Sequence, residues 1–177
     1  DPNSPLDEEG NTALHWAAAT GRMEVVRDLL AMGSDPGIGN RLGQVPLLKA
    51  VSFSNNFDLR TFPALLDLLK DTLILTDSHG QGLLHHIAKT AGSRGKVHAS
   101  RYYLDVTLEL LQRMGLCQGK MVSGSGGGAT DPVSAQGTRE EGRVLVDMPD
   151  HQGDTALHIA ARVGNRIMVR RLLDAGA

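Results

Sequence analysis

Two stretches of this chain match each other without a gap, and that duplication constrains the fold more than any other feature. Asp7-Glu8-Glu9-Gly10-Asn11-Thr12-Ala13-Leu14-His15-Trp16-Ala17-Ala18 aligns with Asp150-His151-Gln152-Gly153-Asp154-Thr155-Ala156-Leu157-His158-Ile159-Ala160-Ala161. Both continue to a glycine (Gly21, Gly164), then to an apolar segment (residues 25–30 and 168–173), and both close on Gly33 or Gly176. Two weaker copies lie between, at residues 40–51 and 77–88. Gly10, Gly43 and Gly80 mark the same place in the first three copies, at nearly equal intervals. A recurrence at about 33 residues is the signature of stacked supersecondary units.

Each copy reads as two helices. Gly10, Gly43, Gly80 and Gly153 stand at a turn before the inner helix, where positive φ is expected. Thr12 and Thr155 can cap that helix through their hydroxyls; Val45 and Gly82 cannot, so the middle caps are expected to be lost. Leu14, Leu47, Leu84 and Leu157 open its apolar stripe. The outer helices carry Val25, Val26, Leu29 and Leu30; Leu65, Leu66, Leu68 and Leu69; Val106, Leu108, Leu110 and Leu111; and Met168, Val169, Leu172 and Leu173, each set at helical spacing. One copy cannot bury such a face alone, so stacking is obligatory.

The irregularities are as informative. The interval from Leu14 to Leu29 equals that from Leu157 to Leu172, whereas Leu47 to Leu68 is longer and Leu84 to Leu110 longer still. The second and third copies thus carry insertions, placed near residues 54–60 and 92–100. From the third copy to the fourth, Gly80 to Gly153, the interval is more than double the usual one. Residues 115–143, rich in Gly and Ser, read as a flexible insertion, and residues 144–147 as a strand or short helix leading back into order. Residues 1–177 read as a single domain and a fragment of a longer protein. With only six aromatic residues, the core must come from Leu, Val, Ile, Met and Ala, which suits closely packed helices.

Composition excludes several classes. One cysteine, Cys117, rules out a disulfide framework and a thiolate zinc site. No apolar run approaches the ~18 residues that span a membrane, and no signal-peptide pattern opens the chain. A net charge of -2 argues against a nucleic-acid surface. His15, His85 and His158 share one column and are expected to hydrogen-bond turn backbone rather than a metal. Ser123 to Gly128 lacks the flanking strand, helix and Gly-Lys-Ser/Thr of a phosphate loop. Gly124-Ser125-Gly126 is not a nucleophile elbow, and Cys117 with His98 makes no convincing thiolate pair. Residues 94–103 hold three strong bases, Tyr102 and Tyr103; the tyrosines are expected to open a long outer helix and pack on the insertion, with the bases solvated. Ser4-Pro5 is a minimal proline-directed motif. No catalytic residue, cofactor or metal is assigned, although an enzyme with an unrecognised site is a second class of reading.

The DxxGxTxLHxAA pattern, followed at a fixed distance by a Leu-Leu pair, resembles an ankyrin repeat. The expected fold is therefore an all-α, ankyrin-repeat solenoid of about four irregular repeats, with insertions in the second and third. Residues 54–69, 83–88, 95–104 and 153–157 further resemble the fungal cell-cycle-box transcription factors of the MBF/SBF type. That resemblance implies a fungal nuclear protein in a heteromeric complex that controls G1/S genes, with protein partners. It implies no direct nucleic-acid contact from these repeats, no membrane and no small-molecule substrate. Residues 94–103 lean toward the regulatory subunit. An ankyrin adaptor unrelated to transcription is the alternative. In ankyrin folds the turn tips and the inner-helix positions after the Ala pair face a concave groove. Here these are Glu8, Glu9 and Asn11; Arg41, Leu42, Gln44 and Phe53; His79, Gln81 and Lys89; and His151, Asp154 and Arg162.

Overall fold

A computed structural model describes residues 1–115 and 145–177. Its elements follow the repeat. The inner helices are α1 (Ala13–Thr20), α3 (Pro46–Ala50), α6 (Leu83–Thr90) and α8 (Ala156–Val163). Their outer partners are α2 (Met23–Ala31), α5 (Phe62–Leu68), α7 (Val97–Arg113) and α9 (Arg166–Asp174). A short helix, α4 (Asn55–Asp58), lies in the second repeat, and a 3-10 turn, Lys70–Thr72, follows α5. Inner helices stack in chain order: α1 on α3, α3 on α6, α6 on α8. No helix among the described residues is long and apolar enough to cross a membrane.

One apolar core runs through all four helix pairs. Leu14, Leu47 and Leu84 are buried, as are Ala17, Ala18, Ala50, Ala88 and Ala160. Small alanines let inner helices approach closely, and the leucines fill the space between pairs. The outer stripes are buried unevenly. Val26, Leu65, Leu66, Leu111, Met168 and Leu172 are inside, whereas Val25, Leu68 and Leu173 face solvent.

Gly43 shows why the turns demand glycine. Its φ is +73°, and a Cβ there would lie 2.7 Å from the Ser78 backbone nitrogen in the next turn. A side chain would meet both backbone strain and a neighbouring main chain.

Both insertions are structured, and they meet. In the second repeat α4 packs under the end of α1: buried Asn56 donates from Nδ2 to the Ala18 carbonyl at 2.8 Å. In the third, residues 92–100 were expected as an insertion loop, but α7 already begins at Val97 and runs 17 residues. Its added N-terminal turns have something to bury against. Tyr103 is fully buried and donates its hydroxyl to the Phe53 carbonyl at 2.7 Å. The same oxygen accepts the Phe57 amide at 3.0 Å. Tyr102 meets Phe57 edge to face at 5.5 Å. The tyrosines therefore pack on the insertion as expected, but the bases are not all solvated. Lys96 Nζ donates to the Ser52 carbonyl at 2.6 Å, and half-buried Arg101 reaches Asn165 Oδ1 at 3.4 Å. Leu145 and Val146 are helical. The Gly/Ser-rich insertion falls, from residue 116 to 144, outside the described residues.

Candidate functional site

The turn tips are built by one side chain each. Asp77 Oδ1 accepts the amides of His79 at 2.9 Å and Gln81 at 3.0 Å. Asp150 does the same for Gln152 at 2.9 Å and Asp154 at 3.0 Å. Asn40 takes Leu42 and Gln44, both at 3.0 Å, and Asp7 takes Asn11 at 2.9 Å. An acceptor that satisfies backbone two and four positions on fixes the turn locally. These bonds favour the ionised carboxylate. The Asn11 side chain is the main cause that holds Asp7 down at about 2, and the Gln81 amide lowers Asp150. Burial pushes Asp77 upward, but the Gln81 and His79 amides and His86 together leave it below the usual range.

Successive turns are then tied by backbone. Arg41 N–H donates to the Glu9 carbonyl at 2.9 Å, Ser78 to Leu42 at 2.9 Å, and His151 to His79 at 2.9 Å. Side chains add to all three joints: Asn40 Nδ2 donates to Asn11 Oδ1 at 2.9 Å, Ser78 Oγ to the Leu42 carbonyl at 2.9 Å, and Gln81 Nε2 to Asp150 Oδ2 at 2.8 Å.

The histidine column makes a second tie. Thr12 N–H donates to His15 Nδ1 at 3.1 Å, which places the ring proton on Nε2, 2.8 Å from the Gln44 carbonyl of the next repeat. His85 Nδ1 accepts Gly82 N–H at 3.3 Å, and its Nε2 lies 3.0 Å from the Asp154 carbonyl. His158 accepts Thr155 N–H at 3.1 Å. The backbone reading of this column holds, and it corrects the capping expectation. The helix start is satisfied by the imidazole at its third position, so Gly82 keeps its cap without a hydroxyl. The second repeat, with Leu48 in the column, lacks that device. Among the described residues no group of three His, Cys, Asp or Glu could hold a metal ion. Cys117 and the Ser123 to Gly128 run lie outside the described residues.

The candidate interaction residues separate into two kinds. Glu8, Glu9, Arg41, Leu42, His79, Lys89, His151 and Arg162 are exposed, and Gln44, Phe53 and Asp154 are partly so. Asn11 and Gln81 are buried, at 0% and 9% exposure. Their amides are engaged by neighbours, Asn11 by Asp7, Glu9 and Asn40, and Gln81 by Asp150 and Lys89, so they position the tips. Several of the exposed charges are paired: Lys49 with Glu9 at 2.8 Å and Arg162 with Asp154 at 2.7 Å. Lys89 Nζ donates to Gln81 Oε1 at 2.6 Å.

The ankyrin-repeat family pattern matches residues 9–41 and 152–177, the first and fourth rungs of this ladder. Transcription factor SWI6 of Pyricularia oryzae is 41% identical over 98% of this chain and 20% of its own length. Regulatory protein SWI6 of Saccharomyces cerevisiae is 38% identical over 99% of this chain and 23% of its own. The solved ankyrin-repeat fragment of S. cerevisiae SWI6 matches with a TM-score of 0.81 at 38% identity, across 100% of this chain and 67% of that one. The chain belongs to the ankyrin-repeat domains of the fungal cell-cycle-box transcription factors. It spans about a fifth of the length of the curated relatives it matches.

Within this ankyrin domain one feature of the inner-helix face was not foreseen. Trp16 on α1 is 37% exposed and lies edge-on to Phe53, with ring centroids 6.2 Å apart. Lys49 Nζ sits 5.5 Å from the Trp16 ring and Lys96 Nζ 5.6 Å from Phe53. In the repeat alignment Trp16 matches Ile159, a buried core position. Its being the single tryptophan of the chain, at a position that elsewhere holds a smaller residue, was the available signal.

Proposed function

We propose that this domain is a non-enzymatic protein-interaction and scaffold module in a fungal transcription factor complex that regulates G1/S gene expression in the nucleus. The match to the SWI6 ankyrin fragment over the entire chain, insertions included, carries this reading. The geometry supports a scaffold. Turn tips held by three consecutive backbone bonds and buried Asx caps present side chains from a preorganised frame, which lowers the ordering cost of binding. The face used is that of Glu8, Glu9, Arg41, Leu42, Gln44, Phe53, His79, Lys89, His151, Asp154 and Arg162. Partners are protein subunits of the complex. The domain itself contacts no nucleic acid, membrane or small-molecule substrate. Residues 1–177 act as one domain.

The test uses the full-length protein. Arg41→Glu together with Lys89→Glu is expected to reduce recovery of the complex's other subunits from fungal nuclei, and to lower G1/S transcripts. Unchanged recovery and unchanged transcripts would reject this face. A salt-sensitive shift of cell-cycle-box DNA by the repeats alone would reject the absence of DNA contact.

A further inference from the structure

Trp16 is held for contact rather than left over. Its indole N–H donates to Asp7 Oδ2 at 2.7 Å, and Asp7 stays ionised, so the polar edge of the ring is satisfied and the apolar face is what remains. At the same repeat position His86 is 6% and Ile159 is 7% exposed. Phe53 extends the apolar surface toward α7. Rigid, partly exposed aromatic rings are the usual anchors of protein contacts.

Two cationic donors are left over: Lys96 beside Phe53, and Lys89, whose chain neighbour Thr90 bonds the Val51 carbonyl two residues before Phe53. Lys96 Nζ holds a single carbonyl, that of Ser52, and Lys89 Nζ a single amide oxygen, that of Gln81. An ammonium has three protons, so both keep donors to offer. Lys89 occupies in the third repeat the position of Ser52 in the second, beside which Lys96 is anchored. The carboxylates at the rings are already engaged: Asp7 holds the indole, and Glu9 is paired with Lys49.

We propose that Trp16, Phe53, Lys96 and Lys89 form a docking site for an acidic peptide segment carrying one bulky apolar side chain. The apolar side chain seats on the Trp16–Phe53 pair, and flanking carboxylates take the free donors of Lys96 and Lys89. This rests on the protein-interaction reading and narrows it to a partner chemistry.

Trp16 is the only tryptophan in the chain, so its emission reports on this site directly. The probe is a synthetic twelve-residue peptide of Asp and Glu with one central Phe, titrated into the 177-residue protein. Saturable change in Trp16 emission is expected, weakening with added salt. Affinity is expected to fall roughly tenfold or more when the peptide's Phe is replaced by Ala, when its acids are replaced by amides, or with Lys89→Glu in the protein. Phe53→Ala gives the same loss, with circular dichroism verifying that the fold persists. No emission change at millimolar peptide, equal binding of the amide peptide, or preferential binding of an oligodeoxythymidine would overturn the proposal. The failures are separable in the full-length protein. If the peptide does not bind while the protein carrying Phe53→Ala and Lys89→Glu still recovers its complex, the docking site is rejected and the interaction role stands.

Discussion

A histidine at the third position of an inner helix joins local capping to long-range stacking. His15 Nδ1 takes the Thr12 amide in its own repeat, and its Nε2–H reaches the Gln44 carbonyl in the next. The Thr12 bond needs the neutral ring, because a protonated imidazole no longer accepts, whereas Nε2–H donates to Gln44 in either state. Burial pushes His15 below its ordinary 6.5. It does the same to His86, against the pull of Asp77 3.0 Å away. Unfolded chains take up these protons near pH 6.5 while the folded protein resists, so below that pH the unfolded state binds more protons and stability falls. The low-lying carboxylates of Asp7, Asp77 and Asp150 act in the same direction, at more acid pH. The urea midpoint is expected to be lower at about pH 5.5 than at about pH 7.5, with His86→Leu narrowing the difference. A midpoint indifferent to pH over this range would contradict the neutral assignments. The recurrence of the column showed that these rings bond backbone. Which atom each ring reaches depends on a neighbour far along the chain, Gln44 for His15 and Asp154 for His85, and no local pattern records it.

Elements bring the two insertions into one unit. Counting between paired leucines located both, because a fixed helix-pair length makes any surplus visible. It could not show that α7 would grow backward to Val97, since that turn forms by packing on α4 from another repeat. Tyr103 is the clamp between them. Its hydroxyl makes two bonds to the backbone around the insertion of the second repeat, at 2.7 and 3.0 Å. Burial raises its pKa to about 12, so the donor persists well into alkaline conditions. Tyr103→Phe keeps the ring, strands the Phe53 carbonyl and leaves the Phe57 amide with the Ser54 carbonyl alone, at 2.9 Å. A loss of about 1–3 kcal/mol in unfolding free energy is expected, with faster hydrogen exchange at Phe57 and little change in α1. Unaltered exchange at Phe57 would show that the insertion holds itself.

For the molecule as a whole, the informative fact is that the third and fourth repeats are direct neighbours. His151 N–H donates to the His79 carbonyl, His85 faces the Asp154 carbonyl, and Gln81 bonds Asp150. The long interval between Gly80 and Gly153 therefore conceals no missing repeat in the stack. If the joint owes nothing to the chain between, halving residues 116–144 should alter stability only through loop closure, by about 0.6 kcal/mol. Denaturant titration checks this; a loss of several kcal/mol would mean that the segment packs on the repeats.

Helix pairs, their order, the turn glycines and the sites of insertion were determined by the sequence alone. Each is written in local spacing: a regular recurrence, an apolar stripe, a residue needing positive φ. Facing was decided only by the tertiary structure. Asn11 and Gln81 sit at turn tips like Glu9 and His79, yet they turn inward, because Asn40 and Asp150 on adjacent turns offer them partners. Trp16 occupies a column that is core in the fourth repeat, yet it stands at the surface, braced by Asp7, Phe53 and Lys49. Burial of a side chain depends on what the rest of the stack places beside it, and that neighbour is set by folding rather than by position in the chain.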